Sequence, residues 1–176
     1  MLQTQMEIRG ARPVDRDALR GFLSALSPRT AYLRFFAGIG IPSSAFVRRL
    51  LAPGPDRGAW VATEGDRIVG HAFWARPSGV HDAAELAVVV ADEHQGRGIG
   101  SPLVRAAVLD AAATGVSRLI LTVLAENRRV TGMVARHWPA ATPERDGPLL
   151  AYLVPVPASL VPAPRPALAD RLPVPA

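Results

Sequence analysis

Residues 87–113 read AVVVADEHQGRGIGSPLVRAAVLDAAA, a valine run, a polar stretch with three glycines in five residues, and an alanine-rich apolar run. This segment constrains the fold more than any other. A β-branched run is a strand signal and the alanine-rich run a helix signal. Glycine costs a helix about 1 kcal/mol per residue relative to alanine. Gly96, Gly98 and Gly100 therefore mark a strand–turn–helix junction with a reason to keep its backbone bare. The first N–H groups of a helix lack internal partners, and the helix dipole adds positive potential there. Glycine lets an anion approach that backbone closely. The glycines alone leave two readings open, a phosphate site or a tight turn. The position three beyond Gly100 is Leu103, and no Gly-Lys-Ser/Thr follows, so neither the dinucleotide G-x-G-x-x-G fingerprint nor the Walker A loop is met.

The rest of the chain alternates elements around this junction. Met6–Ala11 predicts a strand and Pro13–Ala25 a helix, with Leu19, Phe22, Leu23 and Leu26 at helical spacing. Ser27 and Pro28 predict the start of a second helix that Gly38 ends, and Ser43–Ala52 a third. Two apolar runs around Glu64-Gly65-Asp66 predict a hairpin. Gly115 ends the helix after the glycines, Ser117–Ala125 predicts a buried strand, Glu126–Trp138 a helix, and GPLLAYLVPV a last strand. The order implies an α/β (α+β) domain with a mostly antiparallel sheet over residues 1–154. From Pro155 onward seven of 22 residues are proline, which predicts an extended or disordered tail over 155–176.

Composition narrows the classes. With 176 residues, 49% hydrophobic and 20% charged, the chain suits one soluble domain. It has no cysteine, hence no disulfide or thiolate chemistry, and no His/carboxylate cluster at metal-ligand spacing, so no metal is expected. No apolar run reaches membrane-spanning length and the N-terminus lacks a secretory pattern, so a cytoplasmic protein is expected. All 20 basic residues are arginine, and the net charge is +5. The arginines are spread without a recognition-helix pattern or interleaved aromatics, which argues against nucleic acid; the positive balance suits an anionic ligand without saying which one.

The stretch LAVVVADEHQGRGIGSPLV resembles the acetyl-coenzyme A motif of the GNAT superfamily of N-acetyltransferases. Gln95, Gly98 and Gly100 fill the Gln/Arg-x-x-Gly-x-Gly/Ala places in order, Asn127 follows the next strand, and the resemblance runs from Met6 to Val154. It implies a mixed, mostly antiparallel sheet of six or seven strands flanked by helices, with the two central strands splayed. It implies acetyl-CoA as acyl donor: backbone groups of Gln95, Gly96, Arg97, Gly98, Ile99, Gly100 and Ser101 would wrap the pyrophosphate. Val88, Val89 and Val90 would pair with the pantetheine arm, and Asn127 would contact it. Asn127 also suits an ordinary helix N-cap.

Acetylating an amine requires a free lone pair. Deprotonating a lysine amine (pKa about 10.4) at pH 7 costs roughly 4 to 5 kcal/mol, so a general base is needed. Glu85, at the head of the valine strand among Ala83, Ala84, Leu86 and Ala87, is the candidate, against a solvated strand end. AELAVVVADEHQGRGIG and LSPRTAYLRFF further resemble bacterial protein lysine acetyltransferases that modify acyl-CoA synthetases, which implies Glu85 as base, residues 26–36 near the acceptor, and an acyl-CoA synthetase as protein partner. The tyrosine many members place seven residues after the asparagine is Val134 here, and the usual Gly-Phe is His137-Trp138. That leaves His137, Tyr152 or water as proton source for the thiolate. A small-molecule amine acceptor, or a non-catalytic acyl-CoA-binding module, stays open, as does a monomer or a homodimer.

Overall fold

The computed structural model describes residues 6–38 and 40–157. The strands are β1 (Met6–Gly10), β2 (Arg57–Glu64), β3 (Arg67–Ala75), β4 (Ala83–Val90), β5 (Arg118–Leu124), β6 (Glu144–Asp146) and β7 (Leu149–Pro155). The helices are α1 (Arg16–Ala25), α2 (Pro28–Phe35), α3 (Ser44–Leu51), α4 (Gly100–Ala113) and α5 (Arg128–His137). Seven strands form one sheet in the order β1-β2-β3-β4-β5-β7-β6. Every pairing is antiparallel except β4 with β5.

Strand alternation sends side chains to two cores, one on each face of the sheet. Ala62, Val69, Ala72, Trp74 and Leu119 pack beneath Leu103, Ala107 and Ala111 of α4. Val61, Ile68 and Val89 pack against Leu19, Phe22 and Leu23 of α1 and Val47, Leu50 and Leu51 of α3. The register shifts between Ala62 and Thr63, which pair with Gly70 and Ile68, so Val69 is the extra residue of a bulge. The bulge lets Val69 and Gly70 both meet α4, and a Cβ on Gly70 would lie 2.7 Å from Leu103. A second clamp holds α4 further along. Asp110 Oδ2 accepts the indole N–H of Trp74 at 2.7 Å and of Trp60 at 3.3 Å. Gly58 lies under this carboxylate, where a side chain would collide with Asp110 and Trp74.

Most boundaries follow the local chemistry. Ser27 and Ser43 cap α2 and α3 by accepting from Thr30 and Phe46 amides, and Gly65, at φ +60°, turns the hairpin. Three elements depart from expectation. The first helix opens with a 3-10 turn at Pro13–Asp15, because Asp15 is pulled inward by Arg9 at 2.7 Å and by the Arg12 amide at 2.7 Å. The second helix ends at Phe35, with Phe36 itself left-handed (φ +62°), rather than running to Gly38. The last strand runs through Pro155, and Val156 is buried and donates its amide to Ser117, so the folded part passes the expected 154/155 boundary. The proline tail expected over 155–176 otherwise lies outside the described residues. The sequence reading also missed β6, a short exposed edge strand of ERD without apolar alternation.

Two outcomes follow from this packing. Gly58→Ala should destabilise the protein by about 2 kcal/mol through overpacking against Asp110 and Trp74, read as a lower urea midpoint. His71, only 1% exposed in β3, bonds through Nε2 to the Leu50 carbonyl at 3.2 Å. Burial first, and the Arg34 charge second, push its pKa down to about 4 from 6.5. Between those values the unfolded chain binds a proton that the folded chain refuses, so stability falls as pH drops through that window, by up to about 1.4 kcal/mol per unit. Urea unfolding at pH 7 and pH 5 should show this loss, and His71→Asn should show much less of it.

Candidate active site

The functional region begins where one strand pair fails. β4 and β5 pair only over Ala83–Glu85 and Arg118–Ile120, and among the described residues no partner strand follows β4 beyond Glu85 on that side. A groove of about 310 Å³ opens there. Leu86 and Val88 line one wall, Ile120 and Thr122 the other, with Val104 of α4, Val130 and Met133 of α5, and Trp138 beyond. Leu33, Arg34 and Phe36 of the α2 end also border it.

Alternation of the backbone sorts the three valines. Ala91 donates its amide to Val69 of β3 at 2.8 Å. Val89, two residues earlier, therefore also pairs toward β3, and its side chain is buried in the α1/α3 core. Val88 and Val90 turn their N–H and C=O groups toward the opened side. The Val90 carbonyl is occupied by the Gln95 side-chain amide at 3.1 Å. Val88 is the valine whose backbone is left for a strand-like ligand.

After β4 the chain makes a 3-10 turn at Asp92–His94 and the glycine loop, then enters α4. Gly96 (φ +80°) and Gly98 (φ +83°) sit in the left-handed region, which explains two of the three glycines. Ile99 is 7% exposed and anchors the loop in the core, so its backbone alone faces outward chemistry. Among the described residues the amides of Gly96, Arg97, Gly98, Ile99, Gly100 and Ser101 donate to no protein acceptor, whereas Gln95 donates to Asp92 and Leu103 to Ile99. Pro102 removes a further N–H in the first turn. A run of unpaired amides at the positive end of a fourteen-residue helix fits a phosphate group. Arg97 is exposed beside it.

The Gln95 backbone amide is taken by Asp92, and its side chain makes ties of its own. Its Nε2 donates to Val90 O and to Thr30 Oγ1 at 3.2 Å, and its Oε1 accepts from Arg129 at 3.2 Å. Thr30 Oγ1 in turn donates to Asp92 at 2.6 Å, and Asp92 also accepts from the Ser27 amide (2.9 Å) and hydroxyl (2.7 Å). Burial opposes the Asp92 charge, but these donors outweigh it and hold its carboxyl below the usual range. The side chain of Gln95 thus ties the glycine loop to α2 and α5. Thr30, Asp92 and Arg129 were missed from sequence because their partners lie 34 to 65 residues away.

Asn127 caps α5, its Oδ1 accepting from the Val130 amide at 3.3 Å, and borders the groove. Glu85 also borders the groove, but its side chain is exposed and makes no hydrogen bond or ion pair among the described residues. The apolar surroundings expected from its sequence neighbours do not form, because Ala84 and Leu86 project from the opposite face of the strand. Val134 is fully buried core and Tyr152 is 8% exposed, whereas His137 is exposed. His94 is buried against Glu64 at 3.2 Å, and His81 is exposed. No group of three or more His, Asp or Glu among the described residues is placed to hold a metal.

Comparison with known proteins agrees with this geometry. The model of the acetyltransferase (GNAT) family matches residues 28–137. Acetyltransferase Pat of Mycolicibacterium smegmatis is 34% identical over 113 residues, which cover 62% of this chain but only 34% of that protein, so the chain spans a part of its relative's length. Among solved structures, the GNAT domain of PAT from S. lividans superposes with a TM-score of 0.77 at 25% identity, covering 85% of this chain and 90% of that one. A cAMP-binding acyltransferase from Mycobacterium smegmatis gives 0.59 at 28% identity, over 96% of this chain and 50% of that one. An acetyltransferase of the GNAT family from Streptococcus pneumoniae shares the fold, at 0.67 and 22% identity, over 86% of this chain and 98% of that one. With strands parting at Glu85, amides free at the head of α4 and the family model spanning both, this chain belongs to the GNAT acetyltransferase family.

Proposed function

We propose that the chain transfers an acetyl group from acetyl-CoA to the side-chain amine of a lysine in a partner protein, with Glu85 as general base. One observation carries the reading: unpaired amides from Gly96 to Ser101 stand beside a strand pair that opens after Glu85. Diphosphate on those amides would satisfy donors that the fold leaves without acceptors. The free N–H and C=O of Val88 would pair with an amide-bearing arm laid along the opened edge. Asn127 borders the same groove, so its cap and a ligand contact are compatible.

The chemistry then concerns two amine protons and two bonds. Glu85 takes a proton from the acceptor ammonium, directly or through water, and frees its lone pair. The amine nitrogen bonds to the thioester carbonyl carbon, the carbon–sulfur bond breaks with sulfur leaving as thiolate, and the nitrogen gives its second proton to water as the amide forms. Exposure of Glu85 suits a base that passes its proton to water between turnovers. With Val134 and Tyr152 in the core, His137 or water supplies the proton that the thiolate takes up. A protein acceptor, with an acyl-CoA synthetase as that partner, is what the sequence resemblance implies. The chain has no lysine, so a lysine acceptor must belong to another molecule.

Glu85→Gln should retain coenzyme A binding yet release thiol from acetyl-CoA about a hundredfold more slowly at pH 7 with a lysine acceptor. The gap should narrow toward pH 10, where the amine loses its proton unaided. Turnover within threefold of wild type at pH 7 would remove Glu85 from the role. In parallel, Gly98→Ala should weaken coenzyme A binding by about tenfold, because alanine resists the left-handed backbone at φ +83°. Isothermal titration with coenzyme A reads that loss.

A further inference from the structure

Arg34 is the cation that the proposed chemistry does not use. It lies in the last turn of α2 and borders the groove together with Glu85. Its Nε is buried without a hydrogen-bond partner. Among the described residues its guanidinium makes no hydrogen bond and no ion pair, although six other arginines pair with carboxylates. Its one close neighbour of note is the Phe35 ring, 4.7 Å from the guanidinium carbon, which fixes the plane without satisfying a donor. Burial lowers its pKa to about 10, so it remains charged at neutral pH. His71, whose pKa the Arg34 charge helps to lower, is no counter-ion, since an imidazole is neutral or positive. Arg34 is half-buried with its Nε out of reach of water, and a cation so withdrawn is ordinarily paired. Here the donors that no protein group accepts stand at the wall of the acceptor groove.

We propose that Arg34 recognises a carboxylate carried by the acceptor, so that the groove selects an amine accompanied by an acid. A planar guanidinium offers a carboxylate two parallel N–H donors, and Glu85 offers the ammonium a negative neighbour. The pair makes the groove complementary to an acceptor bearing both signs. This rests on the acetyl-transfer reading for the location of the acceptor, though not for the binding itself. Two sources carry that chemistry: a lysine with a glutamate or aspartate beside it in a protein, or a free amino acid.

The test compares matched pairs on the wild-type protein. One pair is a single-lysine peptide with glutamate moved through the neighbouring positions, against the same peptides with glutamine. The other is free lysine against lysinamide. Binding is measured by titration into the protein loaded with coenzyme A, and turnover by thiol release from acetyl-CoA. For at least one glutamate position, or for free lysine, affinity should be about tenfold higher than for the neutral mate, with the difference in KM rather than kcat. Arg34→Gln should collapse that ratio toward one while still binding coenzyme A, and Arg34→Lys should restore part of it. A preference confined to peptides assigns the carboxylate to a protein, and one confined to lysine assigns it to a free amino acid. Equal binding within both pairs, or a preference that survives Arg34→Gln, overturns the inference. Selective binding without thiol release from any amine would leave Arg34's role standing and sink the acetyl-transfer reading instead.

Discussion

The parting of β4 from β5 after Glu85 is the constraint on which the site depends. Strands that stayed paired would occupy each other's N–H and C=O groups and leave no groove. Beyond Glu85 each strand keeps only its other neighbour, β4 with β3 to Val90 and β5 with β7 to Leu124. β4 leads to a loop fastened to α2 and α5, while β5 stays zipped to β7 over its whole length, from Arg118–Pro155 to Leu124–Leu149. The backbone groups that the split exposes, together with the amides heading α4, are donors and acceptors that the fold does not reuse. An unused backbone donor next to a groove is an energetic reason for a ligand to bind there.

The glycine loop is held by side chains more than by its own backbone. Gln95 contacts Thr30, Val90 and Arg129, and Asp92 gathers three donors from the start of α2. These bonds set the loop against the helix that carries Arg34. The same short segment therefore connects the glycine loop to the end of α2 that borders the groove. Each tie is exposed and modest alone, and a network holds better than its single bonds. At the far end of α4, Asp110 under two indoles and the close approach at Gly58 keep the helix axis fixed on the sheet.

Much of the architecture was legible because its signals are local. The hairpin at Glu64-Gly65-Asp66, the capping serines Ser27 and Ser43, the valine strand and the glycine-to-helix junction each announce themselves within a few residues. The failures have physical causes. Phe36 accepts a left-handed backbone that sequence reasoning reserves for Gly38, since its neighbour Phe35 locks edge-on against Phe46 and ends the helix early. β6 has no apolar pattern because as an edge strand it buries nothing. Val156 looked like tail and is core, because Ser117 offers its amide an acceptor 39 residues away in sequence.

The sequence by itself determined the element order, the strand–glycine–helix junction and the family resemblance, since each depends on backbone preferences that act between near neighbours. Tertiary structure decided which groups reach a ligand. It turned Val89 into the core and Val88 toward the split, and spent the side chain of Gln95 on packing. It also left Glu85 in solvent and, among the described residues, Arg34 without a partner. Those outcomes depend on which chain segments meet across long separations, and no local pattern encodes that.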